Sequence, residues 1–345
     1  MSSSVIEKTP AETPAAVRSP LPISGIARLA AESELTEEKN DIQYFSLPTK
    51  SVLNRCSNSA MPFQWTINPY RGCEFGCKYC YARYTHEFME LREGVDFETK
   101  IYAKENVARI LRQELTPGRV VGAEIAIGTA TDPYQPAERK FKVTRQILET
   151  LALAKGLKFS ITTKSDLVLR DLGLLKEISK KNHIQVNLSI TTIDEKLARV
   201  LEPRAPRPDL RFRAVQRLVE NGVAAGVFMM PLLPGITTMD ASMEAVVRCA
   251  AKAKAQYLLA SVAFLMPSAQ AQFLPLLEKH FPHLLRKYRR AYGRSAYLPE
   301  SYKKQIQEKV CALRKKYGLP IDPRLESGPL EPYVNMAHQL NLDFG

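Results

Sequence analysis

The chain reads as an α/β protein with a parallel sheet and helices packed outside it. Short apolar runs of strand length alternate with amphipathic helical stretches from residue 64 to residue 262, joined by short loops. Polar clusters fall just after those runs, at Thr129–Gln135, Thr163–Lys164, Ser189–Thr192 and Glu202–Arg207. Parallel sheets gather ligands at those strand ends. Periodicity by itself permits either an open doubly wound sheet or a barrel.

The elements follow in order. Residues 1–44 are rich in Ser, Pro, Ala and Glu and carry a net charge of −3, which predicts a disordered tail with a weakly helical stretch at Ile26–Glu38. Residues 41–63 run extended. Gln64–Asn68 is a short strand that delivers the chain to a cysteine-rich loop. Tyr81–Leu91 and Asn106–Leu115 are helices, the second with Val107, Ile110 and Leu111 on one face. Five further strands are predicted at Ala123–Ile127, Lys158–Thr163, Ile184–Ile190, Ala224–Met230 and Tyr257–Val262. Helices lie between them at Thr144–Lys155, Asp166–Lys180, Asp194–Val200, Arg211–Asn221 and Met239–Ala253.

Residues 266–318 lack strand signals and read as helices at Phe273–Lys287 and Glu300–Tyr317. This extension either covers the open side of the sheet or binds a partner. Residues 319–345 form a poorly patterned tail.

With 345 residues and 45% hydrophobic content, the chain suffices for one large or two ordinary soluble domains. No run of about 18 apolar residues occurs, so no membrane span is expected. The N-terminal Met-Ser-Ser-Ser-Val-Ile-Glu lacks the basic start and apolar core of a secretory signal. Six cysteines, three of them in one loop, suit a reducing compartment and a metal site better than a disulfide framework. The expected location is the cytoplasm.

The net charge of +13 is concentrated. Residues 279–318 hold twelve Lys/Arg against two acids, with five tyrosines interleaved. Such a segment can bind a phosphate backbone, or it is a solvated helical face.

The loop itself is Asn68-Pro-Tyr-Arg-Gly-Cys73-Glu-Phe-Gly-Cys77-Lys-Tyr-Cys80-Tyr-Ala-Arg83. Thiolates select iron–sulfur clusters, zinc or Cu(I). A 4Fe–4S cube normally takes four cysteines, so three at CxxxCxxC spacing leave one iron open to a substrate or cofactor. A zinc site would want a fourth ligand, for which His86 and Cys56 are the nearby candidates. Gly72 and Gly76 free the backbone to wrap closely.

This run resembles the cluster loop of the radical S-adenosylmethionine (radical SAM) superfamily, with Tyr79 as the aromatic before the last cysteine. The longer pattern, followed by Thr85-His86-Glu87, is similar to the branch that includes spore photoproduct lyase and DNA-repair-photolyase-like proteins. The resemblance covers about residues 60–265. It implies a partial (β/α)6 TIM-like barrel of radical SAM type over 45–265, beyond which residues 266–318 read, by their own pattern, as a basic helical extension. It also implies a 4Fe–4S cluster on Cys73, Cys77 and Cys80, and S-adenosyl-L-methionine cleaved reductively to a 5′-deoxyadenosyl radical that abstracts hydrogen from a substrate.

Further residues carry over singly. Lys164, in Ile-Thr-Thr-Lys-Ser, resembles the strand-end lysine that meets the cofactor carboxylate. Ser189 resembles the serine at the end of the next strand. Ala130 falls at another cofactor-contacting position, where it offers backbone groups. Thr129 stands where the lyase has its hydrogen-donating cysteine. A threonine O–H bond is too strong for that task, which argues against spore photoproduct repair. Thr129, Asp132 and Tyr134 are the candidate catalytic residues, in a polar, Pro-stiffened Thr-Asp-Pro-Tyr-Gln-Pro loop that could read a substrate. The same residues also fit an Asp-Pro turn with a packed tyrosine. Glu202 and Arg204 read as an ion pair. Cys249 and Cys311 read as core residues.

The leading functional expectation is a lyase-like or modifying radical SAM enzyme acting on nucleic acid or another macromolecule. Its electron donor would be a flavodoxin or ferredoxin, with nucleic acid held through residues 279–318. Two alternatives stand beside it. One is a non-catalytic zinc or iron–sulfur module that binds nucleic acid. The other is a radical SAM enzyme for a protein or small metabolite, whose basic helices dock the reductase.

Overall fold

A computed structural model describes residues 24–320, apart from Ala60, Arg92, 117–119 and Val121. Residues 1–23 and 321–345 of the two expected tails lie outside the described residues. In chain order the strands are β1 (Glu34–Lys39), β2 (Ile42–Leu47), β3 (Asn54–Arg55), β4 (Trp65–Ile67), β5 (Tyr70–Arg71), β6 (Lys100–Lys104), β7 (Glu124–Ile127), β8 (Lys158–Thr163), β9 (His183–Ser189), β10 (Ala224–Leu232) and β11 (Leu258–Val262).

The main sheet has the order β11-β10-β9-β8-β7-β4-β3, with every neighbouring pair from β4 to β11 parallel. The six parallel strands match the six expected from the sequence. Their order never reverses, so the sheet has no switch point of the doubly wound kind. Right-handed crossovers in an unreversed order put every connecting helix on one face. The other face curls inward as a partial barrel.

The two faces differ in chemistry. Ile125, Ile127, Phe159, Ile161, Val186, Leu188, Val227 and Met229 are fully buried in the main core. They meet the apolar faces of the helices Val107–Glu114, Val143–Leu151, Leu172–Ser179, Pro208–Glu220 and Asp240–Lys252, through residues such as Leu111, Leu148 and Leu218. Burying side chains of this size stabilises by about 1.5–3 kcal/mol each. The alternate positions Ala126, Ser160, Thr162, Asn187, Ser189 and Ser261 are small or polar and line a cavity instead.

A second sheet, β1-β2-β6-β5, corrects the expected N-terminal tail. Residues 25–47 form the helix Gly25–Ala31 and the hairpin β1–β2. The acidic composition concealed a buried alternation, Ile42 and Tyr44 with Leu47 beyond, that only pairing with β6 could satisfy. Tyr44 then donates to Glu74 Oε2 (3.0 Å), so this sheet supports the cysteine loop.

The expected helix Phe273–Lys287 is two, Pro267–His280 and Pro282–Tyr292. Pro282 has no N–H to continue the first and fits the first turn of the second. The helix Glu300–Tyr317 covers the edge of β11. Gln307 Nε2 and Arg314 Nη1 donate to the Ala260 and Leu258 carbonyls (2.6 and 3.0 Å), which have no further strand to accept from. Among the described residues no helix is long and apolar enough to cross a membrane.

Candidate active site

A cavity of about 250 Å³ opens at the C-terminal ends of the parallel strands. Cys73, Cys77 and Cys80 line it, together with Thr129, Ala130, Asp132, Lys164 and Ser189. The fold therefore brings eight of the nine sequence-selected site residues to one place.

The cysteine loop is fastened along its length. The Cys73 N–H donates to the Phe97 carbonyl (2.8 Å) and the Lys78 N–H to the Leu201 carbonyl (2.9 Å). Arg83 Nη2 donates to the Cys77 carbonyl (3.1 Å). Gly72 and Gly76 have φ of +80° and +62°, the left-handed region that glycine enters without a Cβ penalty. The Gly72 carbonyl accepts from Thr131 Oγ1 (2.6 Å) and Gln135 Nε2 (3.1 Å), while Gln135 Oε1 accepts the Glu74 N–H (2.9 Å). Gln135 is wholly buried. The loop expected to read substrate thus spends Thr131 and Gln135 on bolting the cysteine loop in place.

The donor set fits an iron–sulfur cluster. Three thiols face one cavity, each free of a disulfide. Among the described residues no three His, Cys, Asp or Glu side chains form a single-ion site. A cube asks for something different, since each thiolate takes its own iron. His86 is turned away, its Nε2 at 3.1 Å from the Lys100 carbonyl and its ring against Phe97. Cys56 belongs to a separate cluster with Met61 and Phe63. Burial pushes the Cys73 thiol well above its ordinary value, the Cys77 thiol up to about 12, and Cys80 upward. A bound metal would have to displace those protons.

Lys164 follows β8 and its Nζ lies 5.7 Å from the Tyr79 ring centroid. Burial draws its ammonium down, but the negative charge that Cys77 and Glu202 can carry outweighs this and holds it above its ordinary value. Asp132 is the clamp for this lysine. Its carboxylate accepts from Thr163 Oγ1 (2.6 Å), the Lys164 N–H (2.7 Å) and the Tyr134 N–H (2.9 Å). Burial pushes the Asp132 carboxyl up against the pull of those bonds. An anion so fully engaged positions the backbone and has little capacity left for proton transfer.

Thr129 and Ala130 are likewise held. Thr129 Oγ1 pairs with the Asn68 amide (3.1 Å), its carbonyl accepts from the Tyr81 hydroxyl, and the Ala130 N–H donates to Asn68 Oδ1 (2.8 Å). Ala130 therefore has its N–H already spent. Tyr134 corrects the expected catalytic placement. It is wholly buried outside the cavity lining, its ring 5.9 Å from the Arg170 guanidinium, in the layer of Glu138 and Asp171. An outward-facing side chain two residues after Asp132 packs against the helices.

The expected Glu202–Arg204 pair is also re-made. Glu202 pairs with Arg211 at 2.5 Å, whereas Arg204 pairs with Glu98 at 3.0 Å. Burial pushes the Glu202 carboxyl up, but Arg211 and Lys164 outweigh it and hold the group below its ordinary value.

The sequence reading missed Asn68, Tyr81, Asn187 and Arg211. Asn187 left a signal only as one of the polar residues, with Gln185 and Ser189, that alternate with apolar ones along β9. It accepts from the Tyr257 hydroxyl (2.5 Å) and donates to Thr162 Oγ1 (3.3 Å). Arg211 left none, because an arginine opening a helix reads as solvated.

Residues 67–247 match the model of the family described as the radical SAM superfamily. An uncharacterised protein of Mycobacterium tuberculosis is 34% identical over 304 residues, covering 88% of this chain and 89% of its own. One of Methanocaldococcus jannaschii is 33% identical over 177 residues, 51% of this chain and 63% of its own. Among solved structures, spore photoproduct lyase complexed with dinucleoside spore photoproduct superposes with a TM-score of 0.59 at 12% identity, over 87% of this chain and 85% of that one. A mutant of that lyase with bound AdoMet and the same dinucleoside gives 0.58 at 12% identity, over 82% and 84%. At such identity the likeness is one of fold.

Proposed function

The chain belongs to the radical SAM superfamily, and from that premise we propose an enzyme that holds a 4Fe–4S cluster through Cys73, Cys77 and Cys80 and S-adenosyl-L-methionine beside it. The observation that carries this is the shared cavity, three cysteines facing a lysine and a serine at successive strand ends. When bound, such a cluster would supply an electron for reductive cleavage of the cofactor's sulfonium.

The chain's own residues do the rest. Lys164 offers a cation to a carboxylate, and Asp132 fixes where that cation starts by holding its backbone N–H. Ser189 contributes a hydroxyl at the end of β9. Phe228, Met230, Leu259 and Phe264 close the opposite wall with apolar surface that excludes water from a reactive carbon. Thr129 positions the loop through Asn68 and donates no hydrogen atom.

For the substrate, the exposed cations Arg286, Lys287, Arg289 and Arg290 support contact with a nucleic-acid backbone. Two of the five interleaved tyrosines are unavailable for base stacking. Tyr288 and Tyr292 are buried and donate to the Pro234 and Ala263 carbonyls (2.9 and 2.8 Å). The same cationic face would equally suit an acidic flavodoxin or ferredoxin.

Anaerobic reconstitution with iron and sulfide, reduction, and assay for 5′-deoxyadenosine test the enzymatic reading. A fully loaded cluster that yields no nucleoside would overturn it. Binding of a DNA or RNA oligonucleotide that weakens steeply with salt, set against binding of flavodoxin, decides the role of the basic helices.

A further inference from the structure

Behind the cavity wall lies an ion pair that the reaction chemistry does not use. Glu202 and Arg211 are 2% and 1% exposed. The Tyr79 hydroxyl donates to Glu202 Oε1, and Arg211 Nη2 meets Glu202 Oε2 at 2.5 Å. Arg211 also donates from Nη1 to the Ser189 carbonyl (2.9 Å) and from Nε to the Pro206 carbonyl (2.8 Å). The pair thus ties three segments, the cysteine loop, the end of β9 and the loop after Glu202. Two of these present side chains to the cavity, Tyr79 and Ser189, while Glu202 and Arg211 do not line it.

Desolvating two charges is costly, and an apolar pair of similar volume is often as stable. The arrangement is also polar in a definite sense. The carboxylate faces Tyr79 in the cysteine loop, and the guanidinium faces the β9 end. Both charges sit directly behind the cysteine loop: Glu202 holds Tyr79, which lies between Cys77 and Cys80, and the carbonyl of the adjacent Leu201 accepts the Lys78 N–H (2.9 Å). A buried charge acts on its neighbours with little screening. The reduction potential of an iron–sulfur cluster responds to nearby charge.

We propose that Glu202 and Arg211 are positioning residues that set the reduction potential of the cluster on Cys77 while locking the Tyr79 ring against Lys164. This rests on the reading of Cys73, Cys77 and Cys80 as cluster ligands. Glu202 disfavours the added electron, Arg211 favours it, and the pair balances the two. Tyr79, its hydroxyl held by Glu202, presents its ring to the Lys164 ammonium rather than its polar edge.

The experiment is a potentiometric titration of the reconstituted full chain, followed by electron paramagnetic resonance. One electron passes from dithionite, which is oxidised, to the cluster. Glu202→Gln should move the midpoint to more positive potential, and Arg211→Gln to more negative. Both substitutions break the same contact, so loosened packing would move them alike. Arg211→Lys and Glu202→Asp keep the charges and should stay near the wild-type midpoint, even if the Gln variants load poorly. Shifts of one sign in both Gln variants, no shift in samples with wild-type iron content, or charge-keeping variants that shift like the Gln ones would overturn the proposal. Wild-type protein that takes up no iron–sulfur cluster would overturn instead the ligand reading beneath it.

Discussion

Gly76 lies so close to Glu98 that a Cβ at residue 76 would sit 2.0 Å from Glu98 Oε2. Glu98 is the buried anion that receives Lys78 (3.0 Å), Arg204 (3.0 Å) and Arg83 (3.6 Å) around the cysteine loop. Gly76→Ala therefore adds a left-handed strain of about 1–2 kcal/mol and displaces that carboxylate. The variant should melt earlier and retain less iron per chain after reconstitution. Wild-type iron content would show that the loop tolerates the displacement.

The cysteines divide into two groups. Cys73→Ala, Cys77→Ala and Cys80→Ala should each lose most of the bound iron and all 5′-deoxyadenosine formation. Cys249 and Cys311, expected in the core, are instead half-buried and exposed on the outer helices Asp240–Lys252 and Glu300–Tyr317, so Cys249→Ser and Cys311→Ser should keep wild-type iron content. Iron analysis with the visible absorbance of the cluster reads both groups.

Gln135 joins two loops through bonds to Gly72, Thr131 and the Glu74 N–H. Gln135→Ala leaves that N–H buried and unpaired, at a cost of about 1–3 kcal/mol. Urea unfolding should show a lowered midpoint, with iron content reduced because the anchor of the cysteine loop is gone. An unchanged midpoint would mean that water replaces the amide without loss.

Burial lowers the His86 imidazole from 6.5 to about 4. The folded protein then keeps it neutral where the unfolded chain would protonate it. Stability from this group is complete above pH 6.5 and is lost as the pH falls to about 4, by on the order of 3 kcal/mol. His86→Gln removes the titration. Urea unfolding at pH 7, 6, 5 and 4 should show wild type losing that much more than the variant. Parallel pH profiles would contradict a buried neutral histidine.

The edge of β11 gives the last prediction. Without Glu300–Tyr317 the Leu258 and Ala260 carbonyls lose Arg314 and Gln307 and become a pairing template. Chains ending at Pro299 should dimerise or aggregate on size-exclusion chromatography. Arg314→Ala in the full chain should cost about 1–3 kcal/mol while leaving it monodisperse to the same degree as wild type.

Local spacing along the chain is enough for part of this fold and site. CxxxCxxC grouped three sulfurs, and short apolar runs marked all six parallel strands and the polar positions at their ends. Both signals act over a few residues, within reach of backbone geometry. Pairings across distance came from the folded arrangement. It chose Arg211 over the nearer Arg204 for Glu202, and it turned Tyr134 toward the helices and Asp132 toward the cavity. It also drew residues 34–47 out of an acidic N-terminal segment to pair with β6. Charge and hydrogen-bond partners are set by which loops meet, and burial then enforces the match because an unpaired group inside would be too costly. No local pattern records that meeting.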